Sequence, residues 1–185
     1  MDDRMIWAMA GMLGALVVGG FVVERLTSPA GTTGGLHDVL PAARARAEGW
    51  APGAALVSFE GRDLVDGRNG ERGAWEFVFA DPAKPGRYAR VLLGSHVLAL
   101  REVDPTTVVA SGGALRDADL AQTPVLAKRL VAYGMRAHRA ATFSAAAAGF
   151  EPARMKVTTA GRVPGTWWLD ARSGDLLEYV PPAGK

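Results

Sequence analysis

Three histidines, a few serines and one carboxylate-rich loop are the side chains here that could do metal, nucleophilic or acid–base chemistry. His37, His96 and His138 stand alone in the chain. None has the HExxH or His-x-His spacing that brings two imidazoles onto one ion, and there is no cysteine to complete a set. Asp63, Asp66, Asn69 and Glu71 offer four oxygen-bearing side chains in one stretch. Their spacing departs from a calcium loop, and Arg62, Arg68 and Arg72 intrude, so a solvated hairpin loop is expected. Ser58 and Ser111 have no sequence-linked base and sit in no Gly-x-Ser-x-Gly elbow. Gly34-Gly35 and Gly112-Gly113 do not form a phosphate loop, and a single histidine without a supporting motif gives no haem site. The expectation is a non-enzymatic chain with no catalytic residue, metal, cofactor or small-molecule substrate.

Recognition has better candidates. Trp167 and Trp168 are adjacent in TWWLD, and neighbours on a strand point to opposite faces. If one ring fills the core, the other faces outward and can anchor a protein partner or a bilayer interface. The alternative is that both rings are buried between the sheet and a covering helix. Charge argues against nucleic acid: 21 Lys and Arg face 19 Asp and Glu for a net +2, with no basic run or aromatic-interleaved stripe.

Residues 5–23 form an uninterrupted apolar run, MIWAMAGMLGALVVGGFVV, between Arg4 and Glu24-Arg25. As a helix it would be roughly 28 Å long, close to the hydrocarbon thickness of a bilayer. A single transmembrane helix over residues 1–26 is therefore predicted, with Trp7 near the start of the span as an interfacial aromatic. A cleaved signal peptide is the alternative, but MDDR is not a basic start and the run is long for a signal core. Gly11, Ala15 and Gly19 recur every four residues and could line a helix-packing stripe toward another membrane protein. Arg4 and the terminal amine precede the run and Arg25 follows it. This leans toward a cytoplasmic N-terminus and an extracytoplasmic, periplasmic C-terminal domain.

The elements that must position these residues follow from pattern. Residues 27–35, TSPAGTTGG, read as a flexible linker. Residues 36–50 read as a helix with Leu36, Leu40, Ala43 and Ala47 on one stripe. Strands are expected at 55–60, 75–80, 87–93 and 96–103, where Trp75, Phe77 and Phe79 alternate as one buried face. A long helical segment is then expected from Thr123 through the alanine-rich stretch to about residue 150, divided or kinked at Gly134. Strands at 155–160, 166–170 and 175–180 complete the chain. The expected fold class is α+β, in two helix-and-antiparallel-meander units over 36–110 and 111–185.

The stretch TWWLDARSGDLLEYV resembles the terminal hairpin of a PepSY-type domain, where an aromatic strand ends in Asp-Ala-x-x-Gly and an apolar strand returns. Asp170 can cap that reversal, and Gly174 tolerates positive φ. The helix ending at Gly49-Trp50, followed by ALVSFE and WEFVFADP, is similar to the opening half of such a unit. The resemblance implies a module that binds or restrains another protein and has no active site of its own. Here it implies a tethered accessory or scaffolding subunit of a larger membrane protein complex, whose partners are the bilayer and integral membrane subunits. The proposed contacts are Trp167, Trp168 and the Gly11, Ala15, Gly19 stripe. A membrane-tethered protease inhibitor or chaperone-like regulator is the alternative.

Overall fold

Period-two alternation governs most of this chain, and the computed structural model resolves it into one antiparallel sheet. It describes residues 22–24, 35–65, 75–93, 98–108, 113–136, 139–147, 153–160 and 164–182. The strands are β1 (Val22–Glu24), β2 (Ala55–Leu64), β3 (Trp75–Ala80), β4 (Tyr88–Leu93), β5 (Leu98–Val103), β6 (Ala140–Ala146), β7 (Arg154–Thr159), β8 (Gly165–Asp170) and β9 (Leu176–Val180). Their spatial order is β1-β5-β4-β3-β2-β6-β7-β8-β9, with every neighbouring pair antiparallel.

Helices α1 (Leu36–Trp50) and α2 (Thr123–Ala132) cover one face. The backbone N–H of Gly35 donates to Asp38 Oδ2 at the start of α1 (3.0 Å), supplying the reverse arm of a capping box. The helix buries Leu36, Val39, Leu40, Ala43 and Ala47, the single stripe that 3.6-residue periodicity places toward a core. In α2, Leu126 and Leu130 do the same. Thr123 is the first residue of that helix and not its cap, and Gly134 at φ +92° ends the segment one residue beyond Tyr133. Both helices join one hydrophobic core with Leu56, Phe59, Trp75, Phe77, Phe79, Val91, Met155, Val157, Trp167 and Leu169.

The expected α+β class, with separate helix-and-meander units, is corrected by this arrangement. The fold is sheet-dominated, because β2 pairs with β6 over seven residue pairs, from Ser58↔Ala146 to Leu64↔Ala140, and joins both halves in one sheet. Part of the error lies in the alanine-rich stretch. AATFSAA was expected to be helical, yet it forms β6, with Ala141, Phe143 and Ala145 buried on the covered face. Alanine's helix propensity is a fraction of a kcal/mol per residue, and burying that face against α1 and α2 outweighs it.

The expected transmembrane helix over residues 1–26, and with it the single-pass topology and the membrane and periplasmic placement, is also corrected on the part that is described, residues 22–24; the rest of that stretch lies outside the described residues. Among the described residues no helix is long and apolar enough to cross a membrane. The end of the apolar run is instead extended: Val22–Glu24 pair with β5 in the register Val22↔Leu100, Val23↔Ala99, Glu24↔Leu98. Consecutive β-branched valines suit a strand better than a helix. Gly11, Ala15 and Gly19 lie outside the described residues, as do Trp7, His96 and His138.

Candidate functional site: the open face of the sheet

The face away from the helices carries a row of side chains that the strand register sets in line. Glu76 on β3 pairs with Glu60 on β2, Glu60 with Ser144 on β6, and Ser144 with Lys156 on β7. Lys156 then pairs with Trp168 on β8, and Trp168 with Glu178 on β9. Period-two geometry explains why those on β2, β3, β6, β7 and β8 point away from the core, because their immediate neighbours on the same strand are buried: Trp75 and Phe77 flank Glu76, and Met155 and Val157 flank Lys156.

Within the row the charges are arranged in two groups. Arg90 on β4 reaches Glu76, with Nε 2.9 Å from Oε1. Lys156 places its ammonium 5.9 Å from the Trp168 ring centroid, a cation–π contact across β7 and β8. The carboxylates of Glu60 and Glu178 form no hydrogen bond or ion pair with any described residue. A groove of about 770 Å³ runs over this region, lined by Ser58, Glu60, Glu76, Arg90, Lys156 and Trp168 among others, with Thr107 and Val108 bordering it.

Chemically this face is a mixed polar and aromatic surface. Its strands offer three carboxylates (Glu60, Glu76, Glu178), three cations (Arg90, Arg154, Lys156), the hydroxyls of Ser58 and Ser144, and the Trp168 indole. A nucleophilic serine needs a base within hydrogen-bond reach, and neither Ser58 nor Ser144 makes such a bond to a described residue. Among the described residues no group of three or more His, Asp or Glu side chains could hold a metal ion. His37, the one histidine described, has Nε2 2.6 Å from the Ala121 carbonyl and so ties α1 to the segment entering α2. Asp63 is buried at 3 % exposure, and its Oδ1 accepts from the Leu64 N–H at 2.7 Å.

The tryptophan pair divides between the faces. Trp167 is 5 % exposed and lies between Tyr133, centroid 6.2 Å away and nearly parallel, and Tyr179, centroid 4.3 Å away. Trp168 is half-buried on the open face beside Lys156. Positioning comes from the turn that follows. Asp170 Oδ1 accepts from the backbone N–H groups of Arg172 (2.9 Å) and Ser173 (2.7 Å), and Gly174 takes φ +72° with its N–H donating to the Asp170 carbonyl. Beyond it, Leu176 N–H donates to the Tyr133 hydroxyl at 2.9 Å, fixing β9 against the end of α2.

A second polar cluster, at the far end of α1, is structural. Arg87 donates from Nη1 to Asp81 Oδ2 at 2.9 Å and from Nε to Glu102 Oε1 at 3.0 Å, while its guanidinium lies 4.7 Å from the Trp50 ring centroid. Trp50 Nε1 donates to the same Glu102 oxygen at 2.9 Å. The bonds from Arg87 and then Trp50 hold the Glu102 carboxyl below its ordinary range. Burial pushes Asp81 upward, but the Ala83 N–H and Arg87 together bring it below its usual value. Asp119 is lowered by hydrogen bonds from Arg116 and Arg172, which link the segment before α2 to the β8–β9 turn.

Of the residues singled out from sequence, Trp168 lines the groove, Trp167 supports it from the covered side, and the glycine stripe lies outside the described residues. Glu60, Glu76, Arg90, Ser144, Lys156 and Glu178 were not anticipated. The alternation of Trp75, Phe77 and Phe79 within WEFVFA implies that Glu76 faces the other way, but nothing local sets the register that aligns the row. No protein-family model, no curated protein and no solved structure matches this chain.

Proposed function

We propose that this chain is a non-enzymatic accessory module that docks another protein on the open face of its sheet, with Trp168 as the anchor. The carrying observation is the half-buried Trp168 beside Lys156, set in a groove of about 770 Å³ on the uncovered side of a well-packed sheet. A rigid indole with a polar surround is the kind of residue that dominates protein interfaces, since it buries large area at little conformational cost. The accessory role is also what the PepSY resemblance implies. The occupant is a polypeptide segment with an apolar side chain for Trp168, flanked by a carboxylate for Lys156 and a basic group for Glu60.

Affinity purification of the full chain under native conditions, compared with Trp168→Ala and Trp168→Phe, tests this. A stoichiometric partner that is lost with alanine and retained with phenylalanine, while both variants unfold at the parental temperature, supports docking at this face. A partner held equally well by Trp168→Ala, or a chain that purifies alone, overturns it. If a co-purifying peptidase loses activity on addition of the chain, the module is a regulator and not a scaffold.

A further inference from the structure

The outer edge of β9 pairs with nothing among the described residues, since β8 is its one neighbour in the sheet. An edge strand presents a row of unpaired N–H and C=O groups, and proteins ordinarily blunt such edges with charge, bulges or proline. β9 is blunted weakly. Of its five residues only Glu178 is charged, while Leu176, Leu177, Tyr179 and Val180 are 38, 45, 39 and 41 % exposed. The register shift between Trp168 and Leu169 lies at the turn-proximal end, and Pro181 closes the other. Between them lies a short run of backbone available for pairing.

We propose that this edge accepts an extended segment of a partner protein as an added strand, with a lysine or arginine of that segment opposite Glu178. Two observations choose the occupant. First, an antiparallel pairing of β9 with a second copy of itself, centred on the strand, would place Leu176 opposite Val180 and Leu177 opposite Tyr179. It would also set Glu178 directly against its own copy, and like charges opposite each other are destabilising. Second, Glu178 makes no ion pair with a described residue and its neighbour across β8, Trp168, carries no charge, so a cation on the next strand supplies the opposite charge that its carboxylate lacks. Main-chain hydrogen bonds would supply affinity, and the cation opposite Glu178 with apolar residues opposite Leu177 and Tyr179 would supply register. The edge adjoins the open-face groove, whose lining includes Glu178, but strand addition uses the β9 main chain and not the Trp168 ring, so the inference stands whether or not Trp168 is an anchor.

The test uses the full chain and two synthetic peptides, acetyl-TVTVKVTVT-amide and its central-glutamate counterpart, followed by amide hydrogen exchange and by NMR titration. Slowed exchange of β9 amides with the lysine peptide is expected, with affinity about fivefold above the glutamate peptide. The preference should reverse in Glu178→Lys. N-methylation at alternate residues should abolish binding in one phase and spare it in the other, because only one edge of an added strand pairs. Equal binding of both peptides, indifference to both methylation patterns, absence of β9 protection up to the solubility of the peptides, or self-association of the free chain through β9 would each overturn the inference. Protection of β9 amides by the lysine peptide should persist in Trp168→Ala, and its loss there would assign the peptide to the groove and overturn pairing along the edge.

Discussion

The two faces of the sheet use the same strands for different ends. On the covered face, Trp75, Phe77, Phe79, Leu56, Val91, Met155, Val157 and Leu169 are at most 1 % exposed and pack with α1 and α2 into one core. On the open face, the side chains one position along are Glu76, Lys156 and Trp168, half-buried and mostly charged. A single step along a strand changes a residue from support to recognition. The covered face has little freedom, because close-packed interiors register even one methyl group. The open face can change composition at small cost to the fold.

Breaking the covered face should give the largest effects. Trp75 is 1 % exposed and stacks near Phe77 with centroids 6.2 Å apart, while its Nε1 finds no hydrogen-bond partner among the described residues. Trp75→Ala should cost about 3–5 kcal/mol in urea unfolding. Next is Gly61, over which the Trp75 ring lies so closely that a Cβ would overlap the ring carbons. Gly61→Ala should lower stability by about 1–3 kcal/mol. Glu60→Ala, one residue earlier on the exposed side of β2, should stay within about 0.5 kcal/mol of the parent. If Glu60→Ala were the more damaging change, the division between faces would fail.

Acid should act through the clamps outside the groove. Asp81, Glu102 and Asp119 are held below their ordinary ranges, so each binds a proton less readily folded than unfolded. Their contribution is complete above the unfolded carboxylate range, about pH 4, and is lost as pH falls through the lower folded values. Thermal midpoints should therefore be flat above about pH 5 and fall below it. Arg87→Ala should shrink that acid-dependent fall, because Arg87 bonds both Asp81 and Glu102.

Local pattern explains what the sequence made visible. Helix α1 was legible from its 3.6-residue apolar stripe, β3 from its alternation, and β8 from its aromatic run ahead of a turn. The Asp170–Gly174 reversal was legible because its chemistry is local: a carboxylate capping nearby N–H groups and a glycine at positive φ. β6 was missed because AATFSAA has helical composition and acquires its strand geometry by pairing between β7, which follows it, and β2, which is distant in sequence. The start of the chain misled for a related reason. Apolarity over residues 5–23 satisfies the length requirement of a membrane span, yet Val22–Glu24 find backbone partners on β5. The groove was illegible because it depends on cross-strand register: Glu60 meets Ser144 only once β2 and β6, eighty-four residues apart at that pair, are joined.

The central claim, that neighbouring side chains on β8 divide support from recognition, is tested most directly by urea unfolding of Trp167→Ala and Trp168→Ala side by side. Trp167, 5 % exposed between Tyr133 and Tyr179, should cost about 3 kcal/mol or more when truncated, whereas half-buried Trp168 should cost about 1 kcal/mol or less. Equal losses, or a larger loss at Trp168, would contradict the account.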